Sequence, residues 1–185
     1  MSYLPSIRKQ FTYYRLLGER TFAQLTDEHL YWSPGPHSNS IAVIIKHLHG
    51  NMLSRWTDFL TTDGEKDFRD RDGEFAAPPA SREDLLRLWA DGWGVLEQSL
   101  TSLTDDKLEQ TVYIRQQGHT VQEAINRQLA HYAYHVGQIV YLGRMQVGEG
   151  WRSLSIPRGQ SEAFNAQATA GGQRREHYTD EWLGR

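Results

Sequence analysis

The sequence predicts an all-α protein, a four-helix bundle with a C-terminal arm. Four long segments repeat apolar residues at helical spacing, and capping or helix-breaking residues separate them. A chain of 185 residues fits one domain with a sizeable core. We therefore predict a bundle over residues 1–150, and an arm and tail over residues 151–185 that pack on it within the same domain.

The first two predicted helices span residues 3–25 and about 40–61. In the first, Gly18 weakens the helix without ending it, and a buried stripe recurs at helical steps: Leu4, Ile7, Phe11, Tyr14, Phe22 and Leu25. A break at residues 33–36, with two prolines, precedes the second helix. Apolar residues cover most of the circumference of that second helix.

The polar residues of the second helix fall in one narrow strip: Ser40, His47, Asn51, Ser54 and Asp58. This strip has two interpretations that periodicity alone leaves open. It forms either a solvent-facing surface or the lining of a cavity inside the bundle.

A polar connection, residues 61–80, follows and is suited to crossing the end of the bundle. Its acidic cluster at residues 70–74 lacks the EF-hand spacing, so we interpret it as a solvated loop. The third helix begins at Ser81 and runs to about Leu103.

Residues 111–114 are predicted to be extended, with a turn at Gln117-Gly118. The capping box of Thr120 and Glu123 starts the fourth helix, which runs to about Val147.

The arm over residues 151–170 is predicted to cover the mouth of a pocket through three apolar side chains, Trp151, Ile156 and Phe164. The polar tail after Gly171-Gly172 is expected to be mobile unless it docks through Tyr178 and Trp182.

Composition excludes several classes of function. The net charge of −3 gives no basic field for a nucleic acid, and no apolar run approaches the length of a membrane helix. Cysteine is absent, which excludes thiolate metal sites and cysteine nucleophiles and is compatible with a reducing cytoplasm. The N-terminus lacks the pattern of a signal peptide.

Histidines provide the strongest chemical signal. His131 and His135 lie four residues apart on the fourth helix, so one metal ion is within reach of both imidazoles. The second helix supplies a third histidine, either His47 or His49, and periodicity does not decide between them. An open metal site is expected to face a water-filled pocket. This favours His47 as the ligand, because His47 lies on the polar strip. Position 132 is Tyr, so the HExxH protease motif is absent.

Two segments carry a family resemblance: Ile44-Ile45-Lys46-His47-Leu48 and His131-x-x-x-His135-Val136-Gly137-Gln138-Ile139. Over residues 3–147 the chain resembles the DinB-like superfamily, whose members include YfiT-type bacillithiol transferases and mycothiol-dependent maleylpyruvate isomerases. The similarity is greatest to a bacterial branch with segments like Asn51-Met52-x-Ser54-Arg55-Trp56 and Ser155-Ile156-Pro157-Arg158-Gly159.

The resemblance implies an up-down-down-up bundle with a long crossover between helices 2 and 3. It also implies a divalent metal on His47, His131 and His135, with zinc or nickel favoured over iron or manganese, and a homodimer. It does not fix the reaction, because many members have no assigned activity.

Three functional hypotheses follow. The first is a metal-dependent enzyme acting on a small molecule, such as a transferase that uses bacillithiol or a related thiol, with a hydrolase as its variant. Its candidate substrate-binding residues are Asn51, Arg55 and Gln138. The second is a non-catalytic, stress-induced module that binds a metal or another ligand. The third is a structural bundle with incidental histidines.

Overall fold

The computed structural model describes residues 2–184 and is mostly helical, with one two-stranded sheet. The predicted all-α class is confirmed at that level. The helices are α1 (Tyr3–Phe22), α2 (Asp27–Tyr31), α3 (Ile41–Trp56), α4 (Arg71–Glu74), α5 (Arg82–Ser102), α6 (Val121–Val147), α7 (Ser161–Ala170) and α8 (Asp180–Leu183). The strands are β1 (Thr111–Ile114) and β2 (Gln117–Thr120), and single 3-10 turns follow α5 and α6.

The four longest helices meet around a buried cluster of aromatic rings, one from each helix: Phe11, Trp56, Trp93 and Tyr132. The ring of Phe11 lies 6.0 to 6.5 Å from the other three, in edge-on or tilted contacts. Helix α3 packs against α5 and α6, and α1 packs against α6 and α5. These contacts fix α3 and α6 side by side, which positions the candidate site.

Three predicted boundaries are wrong. Helix α1 ends at Phe22 rather than at residue 25. Helix α3 ends at Trp56 rather than near residue 61, and Asp58 has a positive φ of 49° that an α-helix does not accommodate. The hairpin turns at Arg115-Gln116, with φ of 55° and 64°, rather than at Gln117-Gly118, which lie in β2. Asp63 accepts hydrogen bonds from the backbone N–H groups of both turn residues, which stabilises this conformation.

The polar strip of α3 is not a solvent face. Ser40, His47, Asn51 and Ser54 are all buried, and only Asp58, beyond the end of the helix, is exposed. The solvent-facing interpretation is therefore wrong for this helix, and His47 and Asn51 are the residues of the strip that line a cavity.

The connection between α3 and α5 is more than a solvated crossover. Asp70 caps helix α4 by accepting from the backbone N–H of Gly73, and Glu74 at the end of α4 is buried. The interpretation of residues 70–74 as a solvated loop is wrong for Glu74, because that side chain turns inward against α3.

The C-terminal tail docks on α1. Lys9 pairs with Asp180 at 2.5 Å, the rings of Tyr13 and Tyr178 are 6.1 Å apart, and Arg20 donates to the backbone carbonyl of Trp182. Both expected anchors, Tyr178 and Trp182, take part. No helix among residues 2–184 is long and apolar enough to cross a membrane.

Gly18 allows α1 to approach α5 closely, since a Cβ at this position would overlap the indole ring of Trp89. We expect Gly18→Ala to lower the free energy of unfolding by about 1–3 kcal/mol, because a buried tryptophan must shift. Gly94→Ala is the matched control: a Cβ there meets no neighbour, so helix propensity predicts a gain of up to about 1 kcal/mol. Urea unfolding of both variants tests the pair, and equal effects of the two changes would contradict this packing.

Candidate metal centre

Three histidines converge where α3 meets α6. His47 lies on α3, and His131 and His135 lie one turn apart on α6. Each offers one ring nitrogen, and these three atoms lie within 4.8 Å of one another. His47 and His135 are buried, while His131 is partly buried.

A buried carboxylate fixes the orientation of His47. The Nδ1 atom of His47 lies 2.8 Å from Oε2 of Glu74, so the Nδ1–H group donates to that oxygen and leaves the Nε2 lone pair free. Arg69 donates to both oxygens of Glu74 at 2.8 and 3.1 Å. Phe75 stacks on the imidazole of His47, with the two ring centroids 4.7 Å apart. A carboxylate behind a histidine is the usual outer support of a metal ligand.

His135 has a similar support. Its Nδ1–H group donates to Oε1 of Gln138 at 2.9 Å, which leaves Nε2 of His135 as an acceptor. Nε2 of His131 lies 3.3 Å from Nε2 of His47, and the buried Nδ1 of His131 has no hydrogen-bond partner in the described chain. Nitrogen lone pairs from α3 and α6 thus point toward a shared space.

Burial keeps two of these imidazoles neutral. Burial, and then the neighbouring His135 and His47, lower the pKa of His131 to about 3. Burial and His47 lower the pKa of His135 to about 4. Burial acts to raise the pKa of Glu74, but hydrogen bonds from His47 and Arg69 outweigh it, and the pKa lies below its usual value. Neutral imidazoles backed by an ionised carboxylate are the protonation states that metal binding requires.

The donor set fits a borderline divalent ion. Zinc–nitrogen bonds of about 2.0–2.1 Å in a tetrahedral site place two ligand nitrogens about 3.3–3.4 Å apart. The nitrogens of His47 and His131 are 3.3 Å apart. Three imidazole ligands suit zinc, nickel, copper or iron better than magnesium or calcium, which prefer oxygen ligands.

The three histidines line a cavity of about 310 Å³. Its wall contains the three histidines, five arginines and three other side chains: Arg55, Arg69, Arg71, Arg115, Arg127, Asn51, Phe75 and Gln128. No carboxylate belongs to this wall within residues 2–184. No residue of the arm lines the cavity either. The prediction that residues 151–170 cover the pocket mouth is therefore wrong. The arm instead contacts Gln24, just after the end of α1, and Trp182 of the tail.

The other predicted residues fall in different places. Asn51 lines the cavity, and its Oδ1 accepts from the Tyr132 hydroxyl at 3.1 Å. Arg55 also lines the cavity but donates to the backbone carbonyl of Gly64 and to Glu65. Gln138 lies against His135 and outside the cavity wall. His49 pairs with Asp91 at 2.8 Å, away from the three histidines.

Sequence reasoning missed Glu74 and Arg69, which lie in the crossover. The one available signal is that Asp70 is a good N-cap for a short helix ending at Glu74. Gly50 belongs to the same arrangement, because a Cβ there would overlap the carboxyl group of Glu74. The absence of a side chain at Gly50 therefore lets Glu74 reach His47, one turn earlier on α3.

We expect Glu74→Gln to weaken zinc binding by about 10–100-fold, the usual loss when the outer partner of a ligating histidine is changed. The glutamine keeps the size of the side chain but loses the charge that holds the proton on Nδ1 of His47. Glu65→Gln is the matched control, since Glu65 also pairs with Arg69 but is not hydrogen bonded to a histidine. Competition with a chromophoric chelator measures both affinities, and equal losses in the two variants would refute the role of Glu74.

The family comparison covers the part of the chain that forms the candidate metal centre. A family model described as "Protein of unknown function (DUF1572)" matches residues 1–160, which include the three histidines and Glu74. A search of curated proteins found no match.

Proposed function

Because the chain belongs to the DUF1572 family, which is DinB-like, we propose that it is a metal-dependent enzyme. The proposed activity is transfer of a low-molecular-weight thiol, such as bacillithiol, to a small electrophile. His47, His131 and His135 hold the divalent metal, for which zinc or nickel is the first choice and iron or manganese the second.

One observation carries this proposal: the three histidines face a cavity rather than a fourth ligand. Catalytic sites keep three protein ligands and an open position, whereas structural sites are closed by a fourth. Glu74 is held behind His47 by Arg69, and His49 is paired with Asp91. Within residues 2–184, no other histidine and no carboxylate lines the cavity. This arrangement favours an enzyme over a closed metal-sensing module.

The chemistry that a bound divalent ion supplies is Lewis acidity, which lowers the pKa of a coordinated thiol. In this proposal, Glu74 and Gln138 hold the imidazoles of His47 and His135. Asn51 contacts the substrate. Arg55 is hydrogen bonded to the carbonyl of Gly64 and to Glu65, so it holds the cavity wall in place. A hydrolase is the alternative activity, because a bound divalent ion would lower the pKa of a coordinated water as it would that of a thiol.

Some finer features are proposals as well. We propose an up-down-down-up order for the four long helices, with the bundle over residues 1–150 and the arm and tail packed on it in the same domain. We also propose a homodimer in the cytoplasm, without a nucleic-acid or membrane partner, and a role in a stress response. Light scattering coupled to size-exclusion chromatography tests the homodimer, and a monomer at micromolar concentration would refute it.

The test of function begins with elemental analysis of the purified full-length protein, followed by anomalous scattering at the zinc and nickel edges. About one metal per chain at the three histidines is the expected result. Bacillithiol, mycothiol and glutathione are then each assayed for conjugation to a bimane electrophile. A metal-free protein that takes up no zinc or nickel would end the metal hypothesis. Bound metal without conjugation of any thiol would refute the transferase and leave a hydrolase or a non-catalytic metal-binding module.

A further inference from the structure

The cavity beside the histidines carries a strong positive charge. Its five arginines come from α3, the crossover, the hairpin turn and α6, and no carboxylate of the described chain lines it. The whole chain has a net charge of −3, so this concentration does not reflect a generally basic protein. Arginine clusters without acidic residues in a concave site are typical of carboxylate and phosphate recognition.

Part of this charge is balanced from behind the wall. Glu65 pairs with Arg55, Arg69 and Arg115, and Glu74 also pairs with Arg69. Five arginines less two glutamates leave a formal charge of 5 − 2 = +3 before any metal is bound. These ion pairs hold Arg55, Arg69 and Arg115 in fixed positions on the cavity wall. The three arginines outnumber the two glutamates, so this group still adds positive charge to the cavity.

The remaining two arginines have donors to spare. Among residues 2–184, neither Arg71 nor Arg127 pairs with a carboxylate. The guanidinium of Arg71 lies over the ring of Phe75, and Nη1 of Arg127 lies 3.1 Å from Nε2 of His119. Both side chains are exposed, as a group that receives a ligand from solvent must be.

A buried amide in the same wall also lacks a partner. Gln128 is 4% exposed, and its Oε1 atom accepts no hydrogen bond from the described chain. It lies on α6 one residue from Arg127 and three from His131. This buried oxygen costs free energy unless a donor satisfies it, so its partner is water or a hydroxyl or N–H group of a bound molecule rather than an anionic group. Exposed arginines alone are ordinary, but their convergence with this amide on one cavity indicates a binding site.

We propose that the substrate is a small organic anion whose carboxylate or phosphoryl group binds between Arg71 and Arg127. The reacting end of the substrate then points toward the three histidines, and only this orientation rests on the proposed function. The anion site itself consists of arginine side chains and does not need the metal. A cavity of about 310 Å³ suits a metabolite rather than a macromolecule.

The test is calorimetric titration of the full-length protein, as purified and after chelator treatment, with metal content measured in both. The probes are succinate for a carboxylate and methylphosphonate for a phosphoryl group, with neutral succinamide as the matched control. We expect at least one anion to bind about tenfold or more tightly than succinamide, with an affinity that falls as salt is raised. The tighter of the two anions identifies the preferred group.

Arg71→Gln and Arg127→Gln are each expected to weaken anion binding by about five- to tenfold, because each removes a charged hydrogen-bond donor. Arg144→Gln is the matched control. It lies on α6 like Arg127, is exposed, and is outside the cavity wall. Anions that bind no better than succinamide, or an Arg144→Gln loss as large as that of Arg127→Gln, would overturn the proposal.

The outcome separates this inference from the proposed function. Anion binding that persists in protein without metal or thiol-conjugating activity would support the anion site and count against the transferase. Metal binding with thiol conjugation, but without a preference for anions over succinamide, would support the transferase and count against the anion site.

Discussion

His47→Ala is expected to weaken zinc binding by at least about 100-fold, whereas His49→Ala leaves it unchanged. Loss of a direct ligand costs more than the roughly 10–100-fold typical of outer partners. His47 is the only α3 residue of the three-histidine cluster, so without it the two remaining ligands both come from α6. His49 is two residues along the same helix but pairs with Asp91.

The two variants remove the same side chain from the same helix, so general effects of losing an imidazole cancel. Chelator competition gives the affinities, and circular dichroism checks the fold. The His47→Ala protein is expected to remain folded, because Glu74 keeps its two hydrogen bonds from Arg69. If His49→Ala lost the metal and His47→Ala kept it, the assignment of the ligands would be wrong.

The sequence predicts the helices that carry the histidines well, because local signals determine them. Thr120 and Glu123 form the expected capping box, and α6 ends at Val147 as predicted. The apolar residues after Trp56 look like a continuation of α3. Phe59 instead packs on Trp56 after the chain has turned, with ring centroids 4.9 Å apart. Periodicity cannot distinguish a helical apolar residue from one in a loop that folds back on the core.

The environment of the histidines could not be predicted in the same way. Glu74 contacts His47 across 27 residues of chain, and no periodic pattern links the two positions. The five arginines come from four separate parts of the chain, each unremarkable alone. Their convergence depends on how the crossover and the hairpin fold over α3 and α6. Spacing within one helix predicts two ligands, whereas the charge of the cavity arises only from tertiary structure.

Acid is expected to destabilise the metal-free protein well above the pH at which carboxylates titrate. In the folded chain the pKa of His131 is lowered to about 3 and that of His135 to about 4, from 6.5. Between pH 6.5 and those values, the unfolded chain binds protons at both positions and the folded chain does not. The free energy of unfolding therefore falls as the pH falls. From pH 7 to pH 5 the loss is about 2 kcal/mol for each histidine, and roughly 3–4 kcal/mol for both.

Urea unfolding of chelator-treated protein at pH 7, 6 and 5 measures this slope. His131→Gln is expected to remove about half of the loss, because one depressed pKa is gone and the burial around His135 is kept. His37→Gln, at an exposed position before α3, is the matched control and is expected to leave the slope unchanged. A free energy of unfolding that stays level from pH 7 to pH 5 in the wild type would show that these imidazoles are charged in the folded protein. Saturating zinc is expected to flatten the slope, because a metal held by neutral imidazoles stabilises the folded state until protons displace it.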